Sequence, residues 1–198
     1  VVGYRDVSDQ VAKPGRPIQG LVEDLNFTVE FENDQRDLDL GPIERVTMHW
    51  SVGTYAMAFD GYHYNIVFDK AKKEAHVIKT LKISKYGRHA FKANKGNIGV
   101  GFAAMFKTNP DTMQGVCPVT PEMISVAAQF VAEFMCWHKL DPRTDDLTDH
   151  YRVDIEIGRK EKIDIGRLFL PFKEDVVRRY DALKAGKAKF QYKDILVD

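Results

Sequence analysis

The sequence predicts an α/β fold, a single domain with a mixed central β-sheet flanked by helices. Residues 44–51 alternate apolar and polar side chains, and residues 62–68 are rich in aromatic and β-branched types, as strands are. Residues 97–106 are almost continuously apolar, which favours a strand buried on both faces. Residues 121–138 repeat apolar positions every three or four residues, as a helix does. Because strands and helices alternate along the chain, we expect helices to pack against a mixed sheet.

The chain is long enough for one domain with extensions. Its 198 residues and 44% hydrophobic content allow one well-buried core. We predict an N-terminal arm over residues 1–42, with an edge strand at 25–32, because prolines and glycines interrupt its first half. The main domain spans residues 43–185, and residues 186–198 form a tail that is basic and then aliphatic.

Charge and hydropathy argue against several classes of partner. The 29 basic and 29 acidic residues cancel, which gives no electrostatic basis for nucleic acid as the main partner. No apolar run approaches the ~18 residues that cross a bilayer, and no signal peptide opens the sequence, so we expect no membrane partner. Cys117 and Cys136 are too few and too distant for a disulfide framework, and reduced thiols are the simplest expectation.

The boundaries of the remaining elements follow from local signals. Residues 75–79 are expected to pair with the strand at 62–68 as a hairpin, across a charged turn. The helix at 121–138 begins with Thr120 as N-cap and proline at its first position. A second helix is predicted from near Pro171 until Gly186, which lies just past its end.

Two histidines and one aspartate from separate segments form a candidate metal site. His49 lies near the end of the strand at 44–51, His150 lies far downstream, and Asp164 closes the sequence Lys162-Ile163-Asp164. Two imidazoles and a carboxylate with a vacant fourth position are the arrangement that catalytic zinc requires. Isolated histidines and aspartates are common in proteins, so these residues by themselves leave a purely structural role open.

The other histidines have simpler interpretations. His63 alternates with Tyr62 along its strand, so we expect it to face the opposite side as a buried supporting residue rather than a ligand. We expect His76 to be an ordinary surface residue. His138, near a helix end, would interact favourably with the C-terminal dipole without any function.

An ordered set of motifs resembles the zinc-dependent N-acetylmuramoyl-L-alanine amidases, also called type 2 amidases. The motifs, in chain order, are Met48-His49-Trp50-Ser51, Asp60-Gly61-Tyr62-His63-Tyr64, His89 with Asn94, Asn97-Ile98-Gly99-Val100, Thr120-Pro121, His150 and Lys162-Ile163-Asp164. The family includes phage endolysins, bacterial muropeptide-recycling amidases and animal peptidoglycan recognition proteins. The resemblance covers residues 43–185 and implies that this segment is a zinc amidase domain.

The resemblance also implies a reaction and roles for individual residues. His49, His150 and Asp164 would bind one Zn²⁺, and the bond cut would join N-acetylmuramic acid to the L-alanine of the peptidoglycan stem peptide. Tyr62 and Lys162 match the residues that stabilise the developing oxyanion. The resemblance further implies a set of substrate-binding residues, namely Trp50, His89, Asn94 and Asn97.

One position departs from part of the family. Recycling amidases carry a glutamate, able to act as general base, where this chain has Gly101. Its absence favours the phage-lysin branch, which implies a monomer in the host cytoplasm before release to the wall, or a virion-associated protein. Two alternatives stay open: a non-catalytic peptidoglycan-binding module, against which the retention of all three ligands argues, and a different zinc hydrolase or a structural phage protein with a vestigial cleft.

Overall fold

Eight strands form in the part of the chain that the computed structural model describes, residues 4–6, 28–30, 39–160 and 162–198. They are β1 (Tyr4–Asp6), β2 (Thr28–Glu30), β3 (Arg45–Trp50), β4 (Met57–Phe59), β5 (Tyr64–Asp69), β6 (Glu74–Lys79), β7 (Asn97–Phe102) and β8 (Leu147–Asp149). Six strands build one sheet in the order β1-β6-β5-β7-β3-β8, and β2 pairs with β4 in a second sheet.

The predicted central strands are present, with one shorter than expected. β5 and β6 pair antiparallel as the predicted hairpin, whereas β3 lies parallel to both β7 and β8. β7 ends at Phe102, although the apolar run continues to residue 106. Ala103 and Ala104 are buried outside the strand, so core packing rather than strand pairing explains why the run continues.

Three α-helices accompany the sheet among the described residues: α1 (Pro121–Trp137), α2 (His150–Glu156) and α3 (Phe169–Lys184). α1 begins as predicted, because the Thr120 hydroxyl accepts a hydrogen bond from the Met123 backbone N–H. α3 begins two residues before Pro171, and Gly186 follows its end with φ 68°. The sequence did not predict α2, because seven residues are too few to repeat an apolar period clearly.

The two faces of the sheet differ in chemistry. On β3, Val46, Met48 and Trp50 enter a hydrophobic core that includes the buried faces of α1 and α3. The alternating residues Thr47 and His49 face the other way, and they too are buried. This second face of β3 therefore carries buried polar side chains, and the candidate metal ligand His49 is one of them.

Part of the N-terminal arm and one residue of the loop after α2 lie outside the described residues. Of the edge strand predicted at 25–32, residues 28–30 are described and pair with β4. The other predictions for residues 1–38 fall on residues that the structure does not describe, apart from β1. Glu161 also lies outside the described residues. No helix of the described segments is long and apolar enough to cross a membrane.

Buried charged side chains hold the C-terminal tail against the domain. The carboxylate of Glu133, in α1, accepts hydrogen bonds from the backbone N–H groups of Gln191 and Tyr192, both at 2.8 Å. The ammonium of Lys79 donates to the Val197 carbonyl at 2.6 Å. The tail predicted over residues 186–198 is anchored to the domain and contains one 3-10 turn, Lys193–Ile195.

Glu133→Ala is expected to lower the free energy of unfolding by about 2–4 kcal/mol, because two backbone N–H groups lose a charged acceptor in a buried setting. Glu133→Gln retains one carbonyl acceptor and should cost clearly less. Urea denaturation followed by circular dichroism measures both values. Equal losses in the two variants would contradict the proposed anchoring of the tail.

Candidate metal centre

The fold brings His49, His150 and Asp164 together, although more than 100 residues separate the first from the others. Nδ1 of His49 lies 3.0 Å from Nδ1 of His150, and each of these nitrogens lies 3.2 Å from Oδ2 of Asp164. All three side chains are buried. Three possible ligand atoms thus form a nearly equilateral triangle.

Three neighbouring elements position these side chains. β3 carries His49 as its penultimate residue, and β8 pairs with β3 and leads directly into α2, whose first residue is His150. Asp149 caps α2 by accepting from the Arg152 N–H at 3.0 Å. The Tyr151 N–H donates to the Asp164 carbonyl at 2.9 Å, which ties the returning loop to the start of the helix.

The triangle has the dimensions of a metal site. Zinc bonds of about 2.0–2.1 Å at tetrahedral angles separate neighbouring ligand atoms by about 3.3–3.4 Å. The edges of 3.0 and 3.2 Å between His49, His150 and Asp164 are slightly shorter and can open by a few tenths of an ångström. Imidazole nitrogen and carboxylate oxygen are both normal zinc ligands, so the donor set and its geometry fit a divalent metal ion.

The electrostatics keep the ligands in their metal-binding forms. Burial lowers the pKa of His49 to about 4, despite the opposing effect of Asp164, so this imidazole is neutral at pH 7. Burial disfavours ionisation of Asp164, but its contacts with the His150 and His49 imidazoles outweigh that effect and hold the pKa of this carboxyl below its usual range. The charge of Lys162 contributes to the lowered pKa of His49, which places its ammonium within electrostatic reach of the site.

Two further residues stand behind the candidate ligands. His89 lies with Nδ1 3.0 Å from Nε2 of His49, and Oδ1 of Asp154 lies 3.7 Å from Nε2 of His150. Oδ2 of Asp154 also accepts from the Lys162 backbone N–H at 3.1 Å. Sequence reasoning missed Asp154, although its i, i+4 spacing from His150 would have identified it once α2 was known.

Tyr62 occupies the space above Gly101. Its ring stacks on His49 with centroids 4.8 Å apart, and its hydroxyl donates to the Trp50 carbonyl at 3.3 Å. A Cβ on Gly101 would lie 2.2 Å from two ring carbons of Tyr62. Gly101 is directly opposite His49 in the β3–β7 pairing. A side chain at position 101 and this placement of Tyr62 are therefore mutually exclusive.

A cleft of about 750 Å³ opens over the site. Its walls include the predicted catalytic residues Tyr62 and Lys162, together with His150 and Asp164. The other lining residues are Trp50, Ser51, Val52, Phe59, Arg88, His89, Ala90, Phe91, Asn94, Met105, Thr108, Pro110, Arg159 and Ile163. The cleft wall thus mixes apolar and polar side chains and carries three cationic groups, Arg88, Arg159 and Lys162.

The predicted substrate-binding residues take different places around this cleft. Trp50, His89 and Asn94 line it, and the Asn94 side chain also accepts from the His89 backbone N–H at 3.1 Å. Asn97 is not among the lining residues. Its side chain accepts from the Thr47 hydroxyl at 2.8 Å and donates to the Ala93 carbonyl at 2.9 Å, so it braces β3 and the neighbouring loop.

The cleft mouth carries an aromatic–cation contact that the sequence did not predict. Phe91, 55% exposed, lies on the loop before β7, and the guanidinium of Arg159 sits 4.7 Å from its ring centroid. Arg159 belongs to the loop between α2 and Asp164, so the contact joins the two walls. Such contacts are worth about 0.5–1 kcal/mol at exposed sites.

The remaining histidines are accounted for by local contacts. His63 is fully buried and supports its surroundings as expected: Nδ1 accepts from the Gly99 N–H at 3.0 Å and Nε2 lies 2.8 Å from the Lys85 carbonyl. Its ring centroid lies 5.8 Å from that of His89, so it does not face away from the site as predicted. The prediction for His76 was wrong, because pairing of β6 with β5 buries it. His138 follows the last residue of α1, and its Nε2 lies 2.7 Å from the Leu196 carbonyl.

No family sequence model matches the chain, and no curated protein matches it in sequence. Solved structures do match. Staphylococcus aureus hydrolase AmiA, in complex with its ligand, has a TM-score of 0.53 at 13% identity, over 90% of this chain and 98% of its own. The Ph2119 endolysin from Thermus scotoductus MAT2119 bacteriophage Ph2119 has a TM-score of 0.50 at 14% identity, over 74% and 92%. Drosophila PGRP-LB has 0.50 at 16% identity, over 86% and 92%.

These structures share the mixed sheet and its flanking helices with the chain. The chain has the type 2 amidase fold. The predicted fold class is thereby confirmed. Identities this low establish the fold alone, and within the type 2 amidase fold the chemistry has to be argued from the chain's own side chains.

Gly101→Ala is expected to push the Tyr62 ring off His49 and to lower the free energy of unfolding by about 1–3 kcal/mol, because the added methyl group overlaps the ring. The ring-current shift of the His49 imidazole, measured by NMR, should shrink. In a Tyr62→Ala background the same glycine substitution should cost much less. Additive effects of the two substitutions would contradict the steric explanation.

Proposed function

We propose that this protein is a zinc-dependent peptidoglycan hydrolase that cleaves the amide bond between N-acetylmuramic acid and L-alanine, acting as a phage lysin. One observation carries the proposal: the two Nδ1 atoms and the carboxylate oxygen converge within 3.2 Å of one another in a cleft of the type 2 amidase fold. Each of these three atoms is a possible metal ligand, and they face one another rather than three separate partners. This arrangement is what a single bound cation would require.

His49, His150 and Asp164 would hold the metal ion. Bound there, zinc would act as a Lewis acid, able to polarise the scissile carbonyl and to lower the pKa of water toward ~7. The chain contributes neutral imidazoles, an ionised carboxylate and a site shielded on the sheet side by β3 and β7. His150 and Asp164 line the cleft, so the fourth ligand direction would open toward substrate.

Tyr62 and Lys162 would stabilise the oxyanion as the carbonyl is attacked. The Tyr62 hydroxyl, which donates to the Trp50 carbonyl, would turn toward the substrate oxygen, and the Lys162 ammonium would add positive charge. Removing one preorganised donor of this kind costs about 3 kcal/mol in the transition state. Because Gly101 supplies no carboxylate, proton transfer to the leaving amine would also fall on these two residues.

Digestion of purified cell walls tests the reaction. The proposal expects new amino termini on L-alanine without new reducing sugar ends. New reducing ends would identify a glycosidase and overturn it. Wall binding without any released product would instead favour the non-catalytic peptidoglycan-binding module.

Asp164→Ala is expected to lose zinc on dialysis and to lose wall hydrolysis, because two neutral imidazoles alone hold the metal weakly. Zinc content by elemental analysis and a thermal melt measure retention and folding. Asp145→Ala, which removes an exposed carboxylate, is the matched control and should keep both zinc and activity. An active Asp164→Ala protein that retained stoichiometric zinc would contradict the assignment of Asp164 as a ligand.

Tyr62→Phe is expected to retain zinc and to lose about 100-fold or more in kcat with little change in KM, because the ring still stacks on His49 while the oxyanion donor is gone. Steady-state kinetics on a soluble muropeptide measures both constants. A variant that bound no zinc would make Tyr62 a support of the site and not a participant.

A further inference from the structure

We propose that His89 is a positioning residue that keeps the ring proton of His49 on Nε2 and thereby leaves Nδ1 free to face the metal site. The inference rests on the proposed function only for the metal itself. The position of the proton is a property of the metal-free chain and can be measured without zinc.

The hydrogen bonds that fix this proton begin at a backbone carbonyl. Nε2 of His89 lies 2.9 Å from the carbonyl oxygen of Asn97, which can only accept. Nε2 of His89 therefore carries the hydrogen. A neutral imidazole has one donor and one acceptor, so Nδ1 of His89 is the acceptor.

Because Nδ1 of His89 is an acceptor, it also determines which nitrogen of His49 carries the proton. Nε2 of His49 lies 3.0 Å from Nδ1 of His89, and only a hydrogen on the His49 nitrogen can satisfy this contact. Nδ1 of His49 is then unprotonated. This is the atom that lies 3.0 Å from His150 and 3.2 Å from Asp164.

Without His89, the ring proton of His49 would be more stable on Nδ1 than on Nε2. The carboxylate of Asp164 lies 3.2 Å from Nδ1 of His49 and would accept a charge-assisted hydrogen bond from it. That tautomer would turn the lone pair away from the site and place a hydrogen where the metal has to bind. Nδ1 of His89 and the Asp164 carboxylate thus compete for the single ring proton of His49, which lies on Nε2 in the first case and on Nδ1 in the second.

The surroundings hold the His89 ring in place. A Cβ on Gly99 would lie 2.6 Å from Cγ of His89, so only glycine leaves room for the ring against β7. The Asn94 side chain accepts from the backbone N–H groups of His89 and Ala90. A ring fixed from both sides can impose its hydrogen-bonding pattern on a neighbour, as groups behind metal ligands do.

NMR of ¹⁵N-labelled histidine side chains in the metal-free protein at pH 7 tests the proposal directly. In the unmodified chain His49 should be protonated on Nε2. In His89→Phe, which keeps a flat ring without an acceptor, His49 should shift to the Nδ1-protonated form. His89→Asn places an oxygen near the position of Nδ1 and should restore the original tautomer.

Zinc affinity, measured by competition with a chelator, provides the second readout. We expect His89→Phe to bind zinc ~10–100-fold more weakly and His89→Asn to recover most of that loss. His138→Asn is the matched control: it alters a histidine that follows the last residue of α1, where its Nε2 contacts the Leu196 carbonyl, and it should leave the His49 tautomer and the zinc affinity unchanged.

The outcomes separate this inference from the proposed function. An Nδ1-protonated His49 in the unmodified chain would overturn the inference, even if His89→Phe failed to fold and whether or not walls are hydrolysed. Equal zinc affinity in His89→Phe and the unmodified chain would overturn it as well. The expected tautomers and affinities in a protein that releases no L-alanine termini would uphold the inference and refute the amidase proposal.

Discussion

The parallel register between β3 and β7 is the constraint on which the candidate site depends. It sets His49 opposite Gly101 and Thr47 opposite Gly99 on the covered polar face. The two glycines leave the volume that the rings of Tyr62 and His89 occupy beside His49. A slip of one residue would turn this face toward the hydrophobic core, because side chains alternate along a strand.

Burying a polar sheet face is costly unless its groups are paired. Most of the cost is offset here by specific hydrogen bonds, such as those of Thr47 to Asn97 and of His63 to Gly99 and Lys85. The triangle of His49, His150 and Asp164 differs from these, since its three facing atoms are all possible metal ligands. A cation is the group that satisfies such an arrangement best, which is why the site is interpreted as a metal centre.

The loop after α2 couples several parts of the proposed reaction. It carries Arg159 at the cleft mouth, Lys162 on the cleft wall and Asp164 at the metal site. Asp154 and Tyr151 in α2 anchor it through backbone hydrogen bonds. Substrate contact, charge stabilisation and metal ligation would therefore respond together to any shift of this loop. The fold shared with a hydrolase, an endolysin and PGRP-LB does not by itself decide between hydrolysis and binding.

The sequence by itself determined the elements whose signals are local: the alternation in β3, the capped start of α1 and the hairpin of β5 and β6. The ordered motifs also identified the three candidate ligands, since their types and order can be read along one chain. Short α2 was missed because seven residues are too few to repeat an apolar period clearly. The early end of β7 was missed because the apolar run continues into residues that are buried outside the strand. Only the tertiary structure decided how His89 meets His49 and why position 101 is glycine, since those answers depend on the space between side chains that lie about 40 residues apart along the chain.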